Sequence, residues 1–146
     1  MSKSNTFEND ILKLIFNNVD IADIGDAGGL QNSAAAGNLY IALHTSDPGE
    51  AGNASTNESA YTSYARVAVA RDAGGWTVSG NSATNAALIQ FPECTGGSET
   101  ITHVSITTAS SGTSKILYSG ALSASRSVSS GIQPQFAANA LTVTED

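Results

Sequence analysis

A change in the spacing of apolar residues near Gly37 is the feature that most limits how this chain can fold. Before this point, apolar residues recur every three or four positions, as on one face of a helix. After it, they alternate with polar residues, as at Leu39, Ile41 and Leu43, which is the spacing of a strand with one covered face. Glycine-containing turns separate the alternating segments. The sequence therefore predicts one short helical segment followed by a β domain.

Residues 1–20 carry the helical pattern. Asn5 is the expected N-cap, and Glu8 three positions later completes a variant of the capping box. The apolar side chains fall on one face: Phe7, Ile11, Leu14 and Ile15, with Leu12 and Val19 widening the stripe. Two roles are open for this stripe. It packs on the protein's own sheet, or it docks on a neighbouring subunit.

Residues 21–37 are rich in Gly, Ala and Asp and show no hydrophobic period, so we expect a connector there. Asp20, Asp23 and Asp26 are spaced by three, whereas an EF-hand loop begins with carboxylates spaced by two and ends with a glutamate. We therefore predict no metal site in this segment.

Residues 38–146 hold the alternating pattern, with seven or eight short strands. They are expected at residues 39–44, 64–71, 76–78, 87–91, 102–106, 115–122, 125–128 and 135–144. A sheet of this size must cover its apolar face, and folding into two layers does so. We predict a mainly β fold, a two-layer β-sandwich with jelly-roll connections as one option, and a single domain over residues 1–146.

The polar residues are mostly neutral. Only 13% of residues are charged, against about 25% in an ordinary soluble domain. Neutral polar surfaces pack against other chains without desolvating charge, so this composition favours a subunit of a larger protein assembly. The net charge is −7 and the six basic residues are scattered. Binding to a nucleic-acid backbone needs a concentrated positive patch, so we expect none.

The chain has one cysteine, Cys94, which excludes an internal disulfide. No segment reaches the roughly 18 consecutive apolar residues of a membrane span, and the first residues lack the apolar core of a secretion signal. We therefore expect synthesis in the cytoplasm and no membrane contact.

Catalysis has little support in the sequence. Ser105, His103 and Asp47 could be combined into a triad, but no G-x-S-x-G elbow presents the serine. His44, His103 and Cys94 lack recognisable zinc-ligand spacing, and the glycine-rich stretches lack the phosphate-loop pattern. We predict no enzyme activity, no metal and no cofactor.

The polar loop after the first strand is a candidate contact surface. It opens with the turn residues Asp47 and Pro48 and ends near Tyr61 and Tyr64. Exposed aromatic residues are common at protein interfaces, so Tyr61 and Tyr64 could form an aromatic patch. The alternative is that one or both pack on the rim of the sandwich.

Several segments together resemble a family of small tailed-bacteriophage virion proteins, often labelled "phage tail fiber protein". The resemblance rests on the strand and turn LYIALHTSDP, the strand YARVAVAR and four later segments. Those later segments are Asn81–Pro92, Ile101–Thr108, Ile116–Leu122 and Phe136–Asp146. The resemblance covers most of the chain. It implies that the protein is a structural component of the virion. Similar small β proteins in phage particles serve as capsid decoration, or cement, proteins.

From this resemblance our leading hypothesis is a homo-oligomeric capsid decoration protein whose partners are the major capsid protein and copies of itself. It would stabilise the assembled lattice by binding it. Phe7, Ile11, Ile15 and the loop carrying Asp47, Pro48, Tyr61 and Tyr64 are the expected contacts. The first alternative is a tail-associated protein, a fibre base or adaptor; a complete fibre is disfavoured because no repetitive or coiled-coil shaft is present. The other is a carbohydrate-binding module using Trp76 and the tyrosines.

Overall fold

A computed structural model describes all 146 residues of the chain. It contains one helix and nine strands: α1 (Asn5–Asn17), β1 (Asn38–His44), β2 (Val67–Ala70), β3 (Trp76–Ser79), β4 (Ser82–Asn85), β5 (Ile89–Gln90), β6 (Ser98–Thr107), β7 (Ile116–Ser129), β8 (Gln135–Phe136) and β9 (Thr142–Thr144). The strands form three sheets, ordered β2-β1-β6-β7, β3-β4-β9 and β5-β8. The predicted mainly β fold with one N-terminal helix is confirmed, and several separate sheets are present, as a β-sandwich requires.

The chain divides into two compact units, each assembled from separated parts of the sequence. The first contains Met1–Asn38, Ala70–Leu88 and Phe136–Asp146, and the second contains Leu39–Val69 and Ile89–Gln135. Local sequence alone therefore defines neither unit. The predicted single domain over residues 1–146 stays a prediction.

In the first unit, α1 packs on β3 and β4 of the three-stranded sheet. Leu12 and Phe16 are fully buried in this contact, and the Phe16 ring lies 4.7 Å from the Trp76 ring. Of the two roles left open for the apolar stripe, packing on the protein's own sheet is thus observed for the helix. The buried face, however, is Glu8, Leu12 and Phe16, one position further along than the predicted stripe.

Strand β4 was not among the predicted strands, because Ala83 is its only apolar residue. A buried amide holds it in place. The Asn85 side chain donates to the carbonyl oxygens of Ala87 (2.7 Å) and Ala137 (2.8 Å), and it accepts from the Leu141 N–H (2.8 Å). Asn85 is fully buried. These three hydrogen bonds hold β4 in place of the alternating apolar contacts from which the other strands were predicted.

In the second unit, β1 and β6 form the buried centre of the four-stranded sheet. Their antiparallel register places Ile41 opposite Ile106 and Leu43 opposite Val104 on one face. The other face carries polar residues, with His44 opposite His103. Both faces of this strand pair are largely buried. On the polar face, His44 Nδ1 lies 2.9 Å from the Thr56 carbonyl oxygen, outside the sheet.

Other boundaries differ from the predictions for local reasons. The segments at 115–122 and 125–128 form one strand, β7, which continues through an irregularity in its pairing with β6. The expected strand at 135–144 splits into β8 and β9, because Asn139 takes a left-handed conformation (φ 61°). The helix N-cap is Ser4, whose side chain accepts from the Phe7 N–H at 3.3 Å, and not Asn5.

The predicted connector is folded into a closed loop. Ile21 and Leu30 exchange two backbone hydrogen bonds, of 3.0 and 2.8 Å. Gly29 makes this closure possible, since it adopts φ +61° and a Cβ there would lie 1.9 Å from the Ile21 carbonyl oxygen. The segment therefore has a defined path without regular secondary structure.

Candidate interaction surfaces

The helix α1 leaves part of its apolar surface uncovered. Phe7 is 37% exposed, and Ile11 and Ile15 are half-buried. These three residues follow one another at intervals of four, so they form a stripe beside the buried face. The apolar arc of the helix is thus wider than the contact with its own sheet. Phe7, Ile11 and Ile15 are hereafter the helix stripe.

The helix is held at both ends, so the helix stripe has a fixed position. Ser4 caps the N-terminus, as described above. The last turn contains no basic residue, and Arg71 supplies the missing charge from the segment after β2. Its Nε donates to the Ile15 carbonyl at 2.7 Å and its Nη2 to the Leu14 carbonyl at 2.6 Å. A positive charge at a helix C-terminus also interacts favourably with the helix dipole.

The loop at residues 45–62 is polar but tightly held. Asp47 is exposed, and its side chain accepts from the Gly49 N–H at 2.8 Å, which closes the turn. Pro48 behind it is buried. Ala54 N–H donates to the Ser114 carbonyl at 2.9 Å. These hydrogen bonds hold the loop in one conformation, and Asp47 is exposed at its first turn.

Tyr61 and Tyr64, at the end of this loop, pack against each other. Tyr61 is 4% exposed, donates to the Pro92 carbonyl at 2.8 Å, and contacts Tyr64 edge to face at 5.4 Å. Burial raises the pKa of Tyr61 to about 12. Tyr64 is half-buried and stacks on Phe91. The prediction of an exposed patch is thus wrong for Tyr61, because its ring packs on Tyr64 and its hydroxyl bonds to Pro92; the packing alternative is observed.

A buried polar cluster centred on Arg66 joins two loops of the second unit. Arg66 pairs with Glu58 through two hydrogen bonds, Nε to Oε1 (2.6 Å) and Nη2 to Oε2 (2.8 Å). It also donates to the carbonyls of Ala109 (3.0 Å) and Gly112 (2.8 Å) and to the Ser114 hydroxyl (3.0 Å). The Arg66 side chain is 1% exposed, and the pairing with Glu58 raises its pKa. This one guanidinium fixes the loop at 45–62 against the turn at 109–114.

Sequence reasoning missed Arg66, Glu58 and Arg71. Both arginines stand in the predicted strand YARVAVAR, for which only Val67 and Val69 were assigned a face. Half of the hydrogen bonds that the two arginines donate go to backbone carbonyls of distant segments. A backbone carbonyl is present at every residue, so the sequence does not show which ones act as acceptors. The available signal was weak: an arginine among small apolar residues, in a chain with only six basic residues.

A serine and a histidine do meet in this structure, but they are not the predicted pair. His44 Nε2 lies 2.8 Å from the Ser105 hydroxyl, and His44 Nδ1 lies 2.9 Å from the Thr56 carbonyl. The carbonyl only accepts, so Nδ1 carries the proton and Nε2 accepts from Ser105. Burial lowers the pKa of His44. His44 is 0% and Ser105 1% exposed, so a substrate has no path to this pair.

The residues considered for metals and glycans are also accounted for. Asp20 and Asp26 accept hydrogen bonds from backbone N–H groups within their own loop. No group of three or more potential metal ligands occurs in the chain. Trp76, the aromatic residue proposed for a glycan groove, is fully buried against Phe16. The carbohydrate-binding alternative therefore lacks its main exposed aromatic residue.

Comparison with known proteins places these surfaces in context. A family model described as podophage GP4 fiber I protein gp80 matches residues 2–144, which is nearly the whole chain. The match confirms the resemblance to phage virion proteins and, with it, the virion location. No curated protein matches the chain. No helix is long and apolar enough to cross a membrane.

Proposed function

The chain belongs to the podophage GP4 fiber I protein gp80 family, and from this membership we propose that it is a non-enzymatic structural subunit of the phage tail, part of a fibre or of the base that carries one. A structural role in the virion follows from the family itself. The single observation that carries the tail assignment is a match to a fibre family over residues 2–144. The buried His44–Ser105 pair supports a role without catalysis.

Capsid decoration, the leading hypothesis from sequence, is the weaker reading. It rested on the small size of the chain and on similarity to cement proteins. Those features fit a tail component equally well, whereas the family description names a fibre. The proposed partners are therefore other virion proteins of the tail and further copies of this chain; the major capsid protein becomes the partner in the alternative.

The helix stripe is the proposed docking surface of the first unit. Phe7 exposes more than a third of its surface, and Ile11 and Ile15 are only half covered. Covering apolar side chains contributes about 25 cal/mol per Å² of buried apolar area. Because Arg71 and Ser4 hold the helix ends, this surface needs little ordering when a partner binds.

The loop at residues 45–62 is the proposed second contact. Asp47 is exposed, whereas Pro48 and Tyr61 are buried and Tyr64 is half-buried. Arg66 and Glu58 lock the loop in one conformation. A preformed polar surface of this kind provides specificity at a low entropic cost.

Copy number and location in the particle test the tail assignment. Purified virions of the phage that encodes this chain are measured by quantitative mass spectrometry with the major capsid protein as internal reference, before and after heads are separated from tails. We expect far fewer copies than capsid subunits, recovered with the tails. A count close to that of the capsid subunit, recovered with heads, would overturn the tail assignment in favour of decoration. Absence from the particle would overturn both.

Two neighbouring substitutions test the helix stripe. Phe7→Glu places a charge in the stripe, and Thr6→Glu places the same charge on the adjacent exposed surface of α1. Both chains should fold, because neither residue is buried. We expect only Phe7→Glu to reduce incorporation into particles when it replaces the natural chain. Equal incorporation of both variants would exclude the stripe as a docking surface.

A further inference from the structure

The segment at residues 19–30 exposes large apolar side chains although it is a folded part of the first unit. Val19 is 46% exposed, Ile24 38% and Leu30 45%. Three of the seven exposed large apolar residues of the chain therefore fall within twelve positions. Single exposed apolar residues are ordinary, whereas grouped ones mark interaction sites. Residues 19–30 are hereafter the acidic loop, for the charges described below.

The acidic loop continues the helix stripe. Val19 follows Ile15, the last residue of the stripe, at the same interval of four. Asn18 ends α1 in a left-handed conformation (φ 56°), and the Val19 N–H then donates to the Lys13 carbonyl at 3.2 Å. This bond keeps Val19 on the last turn of the helix. The exposed apolar surface of the first unit thus extends beyond α1 and onto the loop.

The conformation of the acidic loop is fixed by its own polar groups. Its two ends are joined by the backbone hydrogen bonds between Ile21 and Leu30. The Asp20 carboxylate accepts from the Asn32 N–H at 2.6 Å, and the Asp26 carboxylate accepts from the Gly28 N–H at 2.8 Å. A surface that is already ordered loses little entropy when a partner covers it.

The charge around this surface is negative. The acidic loop carries three exposed carboxylates, Asp20, Asp23 and Asp26. No lysine or arginine occurs from residue 14 to residue 65, and the first unit holds eight of the 13 acidic residues of the chain but three of its six basic ones. Like charges that face each other across an interface are costly. The partner surface that fits is therefore apolar with basic residues around it.

We propose that the helix stripe and the acidic loop together bind a different virion protein, whose matching surface is apolar and surrounded by lysines or arginines. The proposal rests on the structural role in the virion and on the docking surface proposed above, and it adds the chemistry of the partner. It is the same whether that partner belongs to the tail or to the capsid.

A second copy of the chain does not have the required surface. If two copies met through this same surface, their aspartates would face each other. If the surface met another part of a copy, that part would need several available basic residues. Three of the six are engaged within their own chain: Lys3, Arg66 and Arg71. Lys13 lies on α1 itself, so a copy could offer only Lys115 and Arg126.

Competition for places in the particle tests the charge. Host cells infected with phage that lack the gene supply the natural chain and a variant together, and mass spectrometry compares their ratio in purified particles with that in the cell extract. The variant is Asp23→Asn with Asp26→Asn. Asparagine keeps the oxygen that accepts from Gly28 and tolerates the left-handed conformation at residue 23 (φ 59°). We expect this variant to be under-represented in particles at least about threefold, since attraction to the basic surface is lost.

Glu93→Gln with Asp146→Asn is the matched control, because it removes two exposed carboxylates outside the acidic loop. The control should enter particles in proportion to its supply. Equal exclusion of both variants, or an acidic-loop variant that enters in proportion or in excess, would overturn the proposal. Absence of the natural chain from particles would overturn the role in the virion as well, so the two failures are distinguishable.

The same competition tests the apolar part of the surface. Ile24→Ser removes an exposed apolar side chain from the acidic loop, and Ile132→Ser removes one from the second unit. Neither side chain is buried, so both variants should fold. We expect only Ile24→Ser to be under-represented. Equal ratios for the two variants would exclude the acidic loop from the interface.

A photo-crosslinking amino acid at residue 24 identifies the partner in intact particles. We expect the cross-linked peptide to belong to another virion protein and to lie beside lysines or arginines of that protein. A cross-link to a second copy of this chain, a cross-link to an acidic peptide, or no cross-link in particles that contain the labelled chain would overturn the proposal.

Discussion

The Arg66 guanidinium and the Glu58 carboxylate face each other in a two-point pair, with Nε 2.6 Å from Oε1 and Nη2 2.8 Å from Oε2. The geometry matters because Arg66 is almost completely buried while Glu58 is 18% exposed. A buried guanidinium must use all its donors, and this one also reaches the 109–114 turn. The pair therefore holds the loop at residues 45–62 in place.

Removing the arginine should be costly. We expect Arg66→Ala to lower the free energy of unfolding by about 3–5 kcal/mol, since the buried Glu58 interaction and two backbone carbonyls lose their donor together. Urea denaturation measures the change. Arg126→Ala is the matched control, because Arg126 is exposed on β7, and it should shift stability by less than about 0.5 kcal/mol. Equal effects of the two substitutions would contradict the conclusion that Arg66 holds the loop at residues 45–62.

The buried His44 should make the protein sensitive to acid. Burial lowers its pKa in the folded state below the ordinary 6.5, so between these two values the unfolded chain binds more protons than the folded one. Stability contributed by neutral His44 is therefore complete above pH 6.5 and is lost as the pH falls through the folded pKa. The slope from this one group is at most about 1.4 kcal/mol per pH unit.

Urea denaturation between pH 7.5 and pH 5 measures this dependence. His44→Gln removes the titrating ring and should be less stable at pH 7.5, yet lose less stability on acidification than the natural chain. Subtracting the two profiles removes the contribution of the carboxylates that both chains share. Parallel profiles would show that His44 does not titrate on unfolding.

Alternation and turn residues were enough to predict β1 and where most other strands lie along the chain, but not their order in the sheets. Leu39, Ile41 and Leu43 face one way in the sheet as their spacing requires. Polar positions were not predictable in this way. Arg66 reaches acceptors 43 and 46 residues along the chain, and no periodicity reports such a contact.

For the helix, the sequence did not predict which part of the apolar surface is buried. Its spacing correctly predicted an amphipathic helix, but apolar residues cover more than one side of it. Leu12 and Phe16 are buried against the sheet, while Phe7 and Ile11 stay partly exposed. Which part of a wide apolar arc faces inward depends on the surface it meets, and that surface is built from β3 and β4, at least 59 residues later.

Arg71 should control how firmly the C-terminus of α1 is held. Arg71→Ala removes the donors to the Leu14 and Ile15 carbonyls, and the loss should be about 1–3 kcal/mol. Hydrogen exchange in the last turn of α1 should accelerate. Arg71→Lys keeps the charge but has one donor group and should recover only part of the stability. Unchanged exchange in Arg71→Ala would mean that the helix end is held by packing alone.

Trp76 should behave as a core residue and not as a ligand-binding one. It is fully buried against Phe16, and its Nε1–H has no hydrogen-bond acceptor. Trp76→Ala should therefore cost about 3–5 kcal/mol. Trp76→Phe keeps an aromatic ring on Phe16 and removes the unpartnered N–H, so it should cost less than Trp76→Ala, although the smaller ring leaves a cavity. Thermal and urea denaturation compare the two variants. A Trp76→Phe variant as unstable as Trp76→Ala would show that the site needs the full indole and that an aromatic ring on Phe16 is not enough.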